Sequence, residues 1–268
     1  MLAHIHIQKT GGQTVCDILR QSFPGTHCDL RSRFATSADL RLARCFYPRM
    51  ASIAGYGVLP LSDLGAWESV RFFAFVRDPL KRCASHYQFA WRKHGLRTDF
   101  ETWIRTNADH QTRYLTRTGP AVGTGKVAAE QAIAVLQKHV GLVGLLERFN
   151  ESLVLLRRWS GNPGLNVCYR SRNVARDNDV KNRVLEDPRS RELLRRYNAE
   201  DEKLYRYVCE VVYPRQVAEY GGSLAGDVAE LEASLPAPGR FSMARTLASA
   251  KRNLLYKPVA RCLTRRAA

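Results

Sequence analysis

The residues best suited to chemistry lie near the start of the chain, in the run HIHIQKTGGQT at positions 4–14. The pattern predicts a short buried strand, a turn and the start of a helix. Glycines let backbone N–H groups approach an anion, a helix N-terminus adds partial positive charge, and Lys9 adds a full one. The run therefore predicts a phosphate-binding loop. In a Walker A loop the lysine follows the glycines, whereas here Lys9 and Thr10 precede Gly11 and Gly12, which argues against an ordinary ATPase.

A second run with phosphate-binding character occupies residues 72–87, FFAFVRDPLKRCASHY. An apolar strand is expected to end at Arg77, with Asp78 as the cap of the next helix and Pro79 in its first turn. Ligands of α/β folds bind at the carboxyl ends of strands, which is where Arg77 falls. Ser85 lies about two helical turns further on. Arg77 and Ser85 are thus placed to reach one further phosphate.

The rest of the pattern alternates apolar runs with amphipathic segments, which favours an α/β fold with parallel strands and right-handed crossovers. Strands are predicted at residues 3–7, 51–54, 70–76, 140–144 and 166–169. Thr98 is predicted to cap a helix that runs through Arg105. Residues 1–222 are assigned to one domain and residues 223–268 to a linker and a basic C-terminal tail.

The two phosphate elements, in this order, resemble those of sulfotransferases that use 3′-phosphoadenylyl sulfate (PAPS), in particular carbohydrate O-sulfotransferases of the heparan sulfate 2-O and 6-O type. The stretches QTRYL at 111–115 and VGLLERFNESL at 143–153 are similar to parts of the same family. The resemblance implies a P-loop-like three-layer fold with a central parallel sheet flanked by helices. It also implies transfer of a sulfuryl group from PAPS to a hydroxyl of a carbohydrate or glycolipid acceptor.

The resemblance further implies roles for individual residues. Lys9 would stabilise the charge that develops on the leaving phosphate, and Arg77 with Ser85 would recognise the 3′-phosphate. Arg172 falls where relatives place a basic loop that closes over the nucleotide. No metal is required, because basic side chains can neutralise the charge. The PAPS-binding residues expected on this basis are Lys9, Thr10, Gly11, Gly12, Gln13, Thr14, Arg77, Ser85 and Arg172.

The general base is where the chain departs from the family. Relatives carry a histidine base after the second strand, and Tyr56 stands at the matching place. A tyrosine, with an ordinary pKa near 10, is a poor base at neutral pH. His27, expected in the loop after the first helix, is the nearest alternative. This gap leaves two other functions open: a non-catalytic protein that binds nucleotides or anionic glycans, and, less favoured, a P-loop kinase.

Composition limits the partners. The 268 residues carry a formal net charge of +17, which attracts anionic partners. Charge alone does not choose among nucleotides, acidic glycans, nucleic acid and anionic membranes, and the resemblance favours a carbohydrate or other hydroxyl acceptor over nucleic acid. The seven cysteines are scattered and form no C-x-x-C pair, so reduced thiols in a cytoplasmic protein are expected. The first predicted strand begins almost at Met1, which leaves no room there for a signal peptide.

The C-terminal tail has a composition of its own. From Arg240 to Ala268 there are eight basic residues and no Asp or Glu, with leucines between them. Such a segment is typical either of a solvated tail or of a basic amphipathic helix on an anionic membrane or an acidic partner. The sequence leaves both readings open, and it does not fix the oligomeric state.

Overall fold

A computed structural model describes residues 1–30, 32, 34–67, 69–117, 126–170, 178–235 and 243–266. Five strands form one sheet in which every neighbouring pair is parallel, in the order β2-β3-β1-β4-β5. The strands are β1 (Leu2–Ile5), β2 (His27–Asp29), β3 (Ser52–Gly55), β4 (Arg71–Val76) and β5 (Val140–Leu145). Helices flank the sheet in a three-layer arrangement, which confirms the predicted α/β fold.

Fourteen α-helices are assigned in the described residues. They are α1 (Gly12–Ser22), α2 (Ser37–Phe46), α3 (Pro79–Lys93), α4 (Phe100–Arg105), α5 (His110–Leu115), α6 (Ala129–His139), α7 (Phe149–Ser160), α8 (Asp179–Glu186), α9 (Pro188–Tyr197), α10 (Ala199–Tyr207), α11 (Tyr213–Ala218), α12 (Leu224–Ala233), α13 (Met243–Ala250) and α14 (Lys257–Arg266). Short 3-10 turns follow β3 and β5, and π-helical segments (Val208–Val212 and Lys251–Tyr256) join α10 to α11 and α13 to α14.

The central strands read as apolar runs because helices cover both of their faces. Every residue of β1 is buried, and β4 is buried from Phe72 to Val76. The start of α3 follows the sequence signals, since Pro79 opens the helix and the Asp78 carboxylate accepts from the N–H of Lys81 at 2.8 Å. The helix α4 is capped by Asp99 and not by Thr98 as predicted.

Two strand assignments from the sequence are wrong. Residues 166–169 form no strand, because Asn166 exchanges two hydrogen bonds with the Ser22 hydroxyl on α1 instead of joining the sheet. The three-residue strand β2 was missed, and His27 lies in that strand rather than in a loop. Both errors concern short segments, where a pattern of alternation carries little information.

The outer edge of β5 is closed by side chains rather than by another strand. Gln216 on α11 accepts from the N–H of Val143 and donates to its carbonyl, both at 2.8 Å. Two residues further on, the Ser152 hydroxyl accepts from Leu145 N–H at 2.9 Å and donates to its carbonyl at 3.1 Å. The N–H and C=O groups of Val143 and Leu145, which point away from β4, are therefore hydrogen-bonded.

The C-terminal segments pack on the rest of the protein. On α12, Leu231 is buried in the main core. The last helices belong to the same core through Tyr256 and Ala260. Within the described residues, no helix is both long enough and apolar enough to cross a lipid bilayer.

Candidate functional site

The two predicted phosphate elements meet at the carboxyl ends of the neighbouring strands β1 and β4. The chain runs from β1 to one side of the sheet and returns to the other side at β4, which makes this point the topological switch where α/β folds bind ligands. Here Arg77 donates from Nη1 to the carbonyl oxygen of Lys9 at 3.2 Å. One side chain thus ties the second phosphate element to the first.

The loop after β1 has a backbone shape that restricts its sequence. Lys9 and Gly11 both have positive φ, 69° and 84°. A Cβ on Gly11 would lie 2.8 Å from Leu146 Cδ1, so conformation and space both favour glycine. The Thr10 hydroxyl is buried and donates to the carbonyl of Ile7 at 3.0 Å. The hydroxyl proton of Thr10 is therefore used within the loop.

Gly12 lies against the ring of His6. A Cβ at this position would be only 2.1 Å from His6 Cδ2. The His6 ring stacks in turn on Tyr56, with the ring centroids 4.6 Å apart. Burial lowers the pKa of His6 to about 4, so the ring is a neutral support beneath the loop at physiological pH.

The first turn of α1 leaves donors available. Thr14 and Val15 both donate their N–H to the carbonyl of Gly11. In the described part of the chain, the N–H groups of Gly12 and Gln13 have no hydrogen-bond acceptor. Two orphan donors at a helix N-terminus are the elements of an anion site, and Lys9 supplies the positive charge beside them.

The Lys9 side chain reaches across to α3. Its Nζ lies 4.5 Å from the centre of the Phe89 ring, a cation–π contact. Ser85 precedes Phe89 by four residues and so lies on the same side of α3. Burial, followed by the nearby charge of Arg77, lowers the pKa of Lys9. A bound anion would offset both effects.

Further lysines add to the positive charge near Arg77. Burial and then the charges of Arg77 and Lys81 lower the pKa of Lys181 on α8. The backbone N–H of Lys181 donates to Gln88 Oε1 on α3 at 3.0 Å, which holds α8 beside the site. Lys181 was not predicted, since nothing in its local sequence connects it to a residue more than 90 positions earlier.

Carboxylates partly balance these cations. Glu147 Oε1 lies 3.9 Å from Arg77 Nε and accepts from the N–H of Asp78 at 3.2 Å. Burial lowers the pKa of Arg77, while the charges of Glu147 and then Asp78 act in the opposite direction. Arg77, Lys9, Lys81 and Lys181 together outnumber Glu147 and Asp78 at this end of the sheet, and an excess of positive charge favours an anion.

Gln111, a residue of the QTRYL stretch, fixes the backbone at the end of β4. It is fully buried, its Oε1 accepts from Arg77 N–H at 3.0 Å, and its Nε2 donates to Arg77 O at 2.8 Å. Asp201, buried on α10, accepts from the N–H groups of Gln111 and Thr112 at 3.0 and 2.7 Å. The structure therefore gives Gln111 a positioning role at the end of β4.

Tyr56 lies near the phosphate loop through its stacking on His6, and its side chain is 41% exposed. Burial of part of the ring raises the pKa of Tyr56 above its ordinary value. Its backbone carbonyl accepts hydrogen bonds from Tyr114 Oη and Arg117 Nη2. A raised pKa favours the neutral phenol, so at neutral pH even less of the phenolate that could accept a proton is present here than in water.

His27 does not join the other predicted residues. It aligns with Ser52 on β3, which aligns with Leu2, so it lies at the amino end of the sheet, opposite the phosphate loop. Its Nδ1 is 2.8 Å from Ser52 Oγ, its Nε2 is 3.4 Å from Asp29 Oδ1, and burial lowers its pKa. The ring is a buried structural group, and the prediction that His27 lies in the loop after the first helix was wrong.

Several of the predicted site residues lie near one another. Arg77 donates to the Lys9 carbonyl, and Lys9 Nζ lies over the ring of Phe89, one helical turn after Ser85. Arg172 lies outside the described residues. Among the described residues, no group of three or more His, Cys, Asp and Glu side chains is arranged to hold a metal ion. Phe89 was missed along with Lys181, because an aromatic residue in an amphipathic helix ordinarily indicates packing.

Comparisons with known proteins do not assign a family. No protein-family model matches the chain, and no curated protein matches it at a significant level. Function must therefore be argued from the chemistry of the site itself.

Proposed function

We propose that this protein is a PAPS-dependent sulfotransferase that transfers a sulfuryl group to a hydroxyl of a carbohydrate or glycolipid. The observation that carries the proposal is the meeting of Lys9 and Arg77, from two separate phosphate elements, at the switch point of the sheet. A site that binds a single phosphate needs one such element. PAPS carries a 5′-phosphosulfate and a 3′-phosphate, and so needs two.

The reaction assigns a task to each element. The acceptor oxygen attacks sulfur, the bond between sulfur and the bridging phosphate oxygen breaks, and adenosine 3′,5′-bisphosphate leaves with the electron pair. Negative charge grows on the 5′-phosphate, and preorganised donors there lower the barrier. The Lys9 ammonium and the N–H groups of Gly12 and Gln13 are those donors. Lys9 exchanges its contact with Phe89 for the phosphate.

The second element selects the nucleotide. A 3′-phosphate between Arg77 and Ser85 would meet the Arg77 guanidinium. Gln111 already fixes the backbone of Arg77 through two hydrogen bonds. Lys181 and Lys81 add attraction over a longer range. This arrangement would favour adenosine 3′,5′-bisphosphate over AMP and ATP, which lack that group. The chain's own cations would neutralise the phosphates during transfer, so no metal is proposed as a participant.

The acceptor hydroxyl must lose a proton during transfer. Because the pKa of Tyr56 is raised, we assign its phenol to a hydrogen bond with the acceptor rather than to proton abstraction.

All seven cysteines lie among the described residues and are free thiols. This state supports our proposal of a reducing compartment, the cytoplasm, as the place of action.

Calorimetry without magnesium tests the donor site. Adenosine 3′,5′-bisphosphate should bind at least about tenfold more tightly than AMP, a difference of about 1.4 kcal/mol. Arg77→Ala should abolish this preference and leave AMP binding little changed. Equal weakening of both nucleotides in the variant would remove the 3′-phosphate role from Arg77.

A turnover assay separates the enzyme from its alternatives. Transfer of labelled sulfuryl from PAPS to polysaccharide or glycolipid acceptors without magnesium would support the sulfotransferase. Selective binding of adenosine 3′,5′-bisphosphate without turnover on any acceptor would indicate a binding protein. Magnesium-dependent phosphoryl transfer from ATP would replace the proposal with a kinase.

A further inference from the structure

The C-terminal tail forms a helix, and one face of this helix packs against the rest of the protein. The helical segments α13, Lys251–Tyr256 and α14 follow one another without a break from residue 243 to residue 266. Tyr256 is 1% exposed and contacts Phe46 and Tyr47 edge-on, at centroid distances of 5.6 and 5.5 Å. Ala260, one turn further on, is also buried. The tail is therefore a docked helix and not a free extension.

Ionic contacts hold the same face. Arg252 Nη1 lies 3.0 Å from Asp29 Oδ2 at the end of β2, and Asp29 also pairs with Arg20 of α1. Burial acts to raise the pKa of Asp29, but hydrogen bonds from His27 and Arg20 hold it well below its usual range. Lys251 Nζ lies 4.5 Å from the centre of the Tyr47 ring. Because these contacts fix the rotation of the helix, they also determine which residues face outward.

The outward face is apolar. Met243, Leu247 and Leu254 are 71%, 63% and 73% exposed, and Leu255 and Val259 beside them are also exposed. Met243 and Leu247 are four residues apart and so lie along one side of α13, and Leu254 and Leu255 are exposed on the π-helical segment that continues it. A stripe of large exposed apolar side chains on a fixed helix is the usual mark of an interaction surface.

The charge around the stripe indicates the kind of partner. The segment from Arg240 to Ala268 carries eight basic residues and no acidic one. Two copies of the stripe packed on each other would bring these like charges together, which disfavours self-association through this face. An anionic lipid surface offers both an apolar layer and negative charge, and each basic residue near such a surface contributes attraction.

We propose that the outward face of the tail helix binds anionic phospholipid membranes, with the helix lying in the plane of the interface. Leucine and methionine side chains enter the boundary between headgroups and acyl chains. Basic residues of the segment other than Lys251 and Arg252, which hold the docked face, contact lipid phosphates. The docked face meanwhile holds the α/β domain against the membrane in one orientation. This inference does not depend on the sulfotransferase proposal.

Vesicle flotation of the purified full-length protein tests the inference. The protein should float with vesicles that contain phosphatidylglycerol and stay in the dense fraction with phosphatidylcholine alone. The double variant Leu247→Glu, Leu254→Glu should bind the anionic vesicles at least about tenfold more weakly. Val211→Glu is the matched control, since Val211 is exposed on a different π-helical segment, and this variant should float like the unchanged protein.

Three outcomes would overturn the proposal. The first is equal flotation of the double variant and the unchanged protein with anionic vesicles. The second is absence of flotation with any vesicle. The third is a dimer in light scattering that the double variant converts to a monomer, which would assign the stripe to a second copy of the chain. Thermal unfolding of the double variant at an unchanged temperature would show that any loss of binding comes from the surface.

Discussion

Gln111 closes two hydrogen bonds with the backbone of Arg77, at 3.0 and 2.8 Å, and so fixes the strand end from which the Arg77 guanidinium projects. Gln216 makes the same pair of bonds with Val143 on β5, away from the phosphate loop. The two glutamines therefore form a matched pair. One clamps the candidate site, and the other clamps an ordinary strand.

Replacing each glutamine with alanine should separate a stability effect from a binding effect. Both Gln111→Ala and Gln216→Ala should lower the free energy of unfolding by about 1–3 kcal/mol, because each leaves buried backbone groups unpaired. Only Gln111→Ala should also weaken the binding of adenosine 3′,5′-bisphosphate, which calorimetry would measure. If both variants weaken nucleotide binding equally, the clamp on Arg77 has no specific role.

Gly12 and His6 should be coupled energetically. Gly12→Ala places a Cβ about 2.1 Å from the His6 ring, so the loop must shift and nucleotide affinity should fall by about tenfold or more. His6→Ala in the same chain removes the clash and should restore part of the affinity. A double-mutant cycle by calorimetry measures this coupling. Additive losses would contradict the contact.

Lys9 combines a positive φ with the charge that the proposed reaction requires. Lys9→Ala and Lys9→Gly should both reduce turnover at least tenfold, or about 1.4 kcal/mol of transition-state stabilisation. Because φ is 69° at this position, the glycine variant should be about 1 kcal/mol more stable to denaturant than the alanine variant. Lys138→Ala, on an exposed part of α6, is the control and should turn over normally. Normal turnover in both Lys9 variants would exclude the proposed role.

Tyr56→Phe should retain most of its turnover. Since burial raises the pKa of Tyr56, loss of its hydroxyl removes a hydrogen bond to the acceptor and not the base. We expect a rise in the KM for the acceptor and a small change in kcat. A loss of kcat by a factor of about a hundred or more would restore Tyr56 as the general base.

The protein should lose stability in mild acid. Burial lowers the pKa of His6 from 6.5 to about 4 and that of His86 to about 3, and those of His4 and His110 lie well below 6.5. Below pH 6.5 the unfolded chain takes up protons that the folded chain does not bind. The free energy of unfolding should therefore fall as the pH drops from 6.5 towards 4, by up to about 1.4 kcal/mol per pH unit for each histidine.

Two carboxyls act in the opposite direction. Burial raises the pKa of Asp109 to about 6 and also raises that of Glu202, so their protonation favours the folded state, but these two groups do not offset the larger number of buried histidines. Urea unfolding at a series of pH values would give the slope of the free energy of unfolding against pH. A flat stability profile between pH 6.5 and 4 would show that these histidines are not buried as neutral groups.

The sequence predicted those features that depend on local chemistry. Glycines after a strand and an Asp-Pro pair before a helix indicate turns and caps wherever they occur, so the turn before α1 and the start of α3 were located correctly. The clamp by Gln111 could not be predicted, because its partner lies 34 residues earlier in the chain. The same holds for Lys181, which a contact 93 residues away places beside the site.

Misplaced assignments have a related cause. The three residues of β2 include a histidine and an aspartate, so their composition alone did not indicate a strand. Residues 166–169 have the composition of a strand, but Asn166 bonds to Ser22 of α1. In each case a tertiary contact, and not local preference, decided the structure.

The side-chain closure of β5 has a consequence for the behaviour of the protein in concentrated solution. An edge strand with open N–H and C=O groups is a template on which another chain can add a strand, and such pairing leads to aggregates. Gln216 and Ser152 occupy those groups at Val143 and Leu145. Along this stretch the sheet therefore offers no free hydrogen bonds to a neighbouring molecule, so growth of the sheet from one molecule to the next is blocked here.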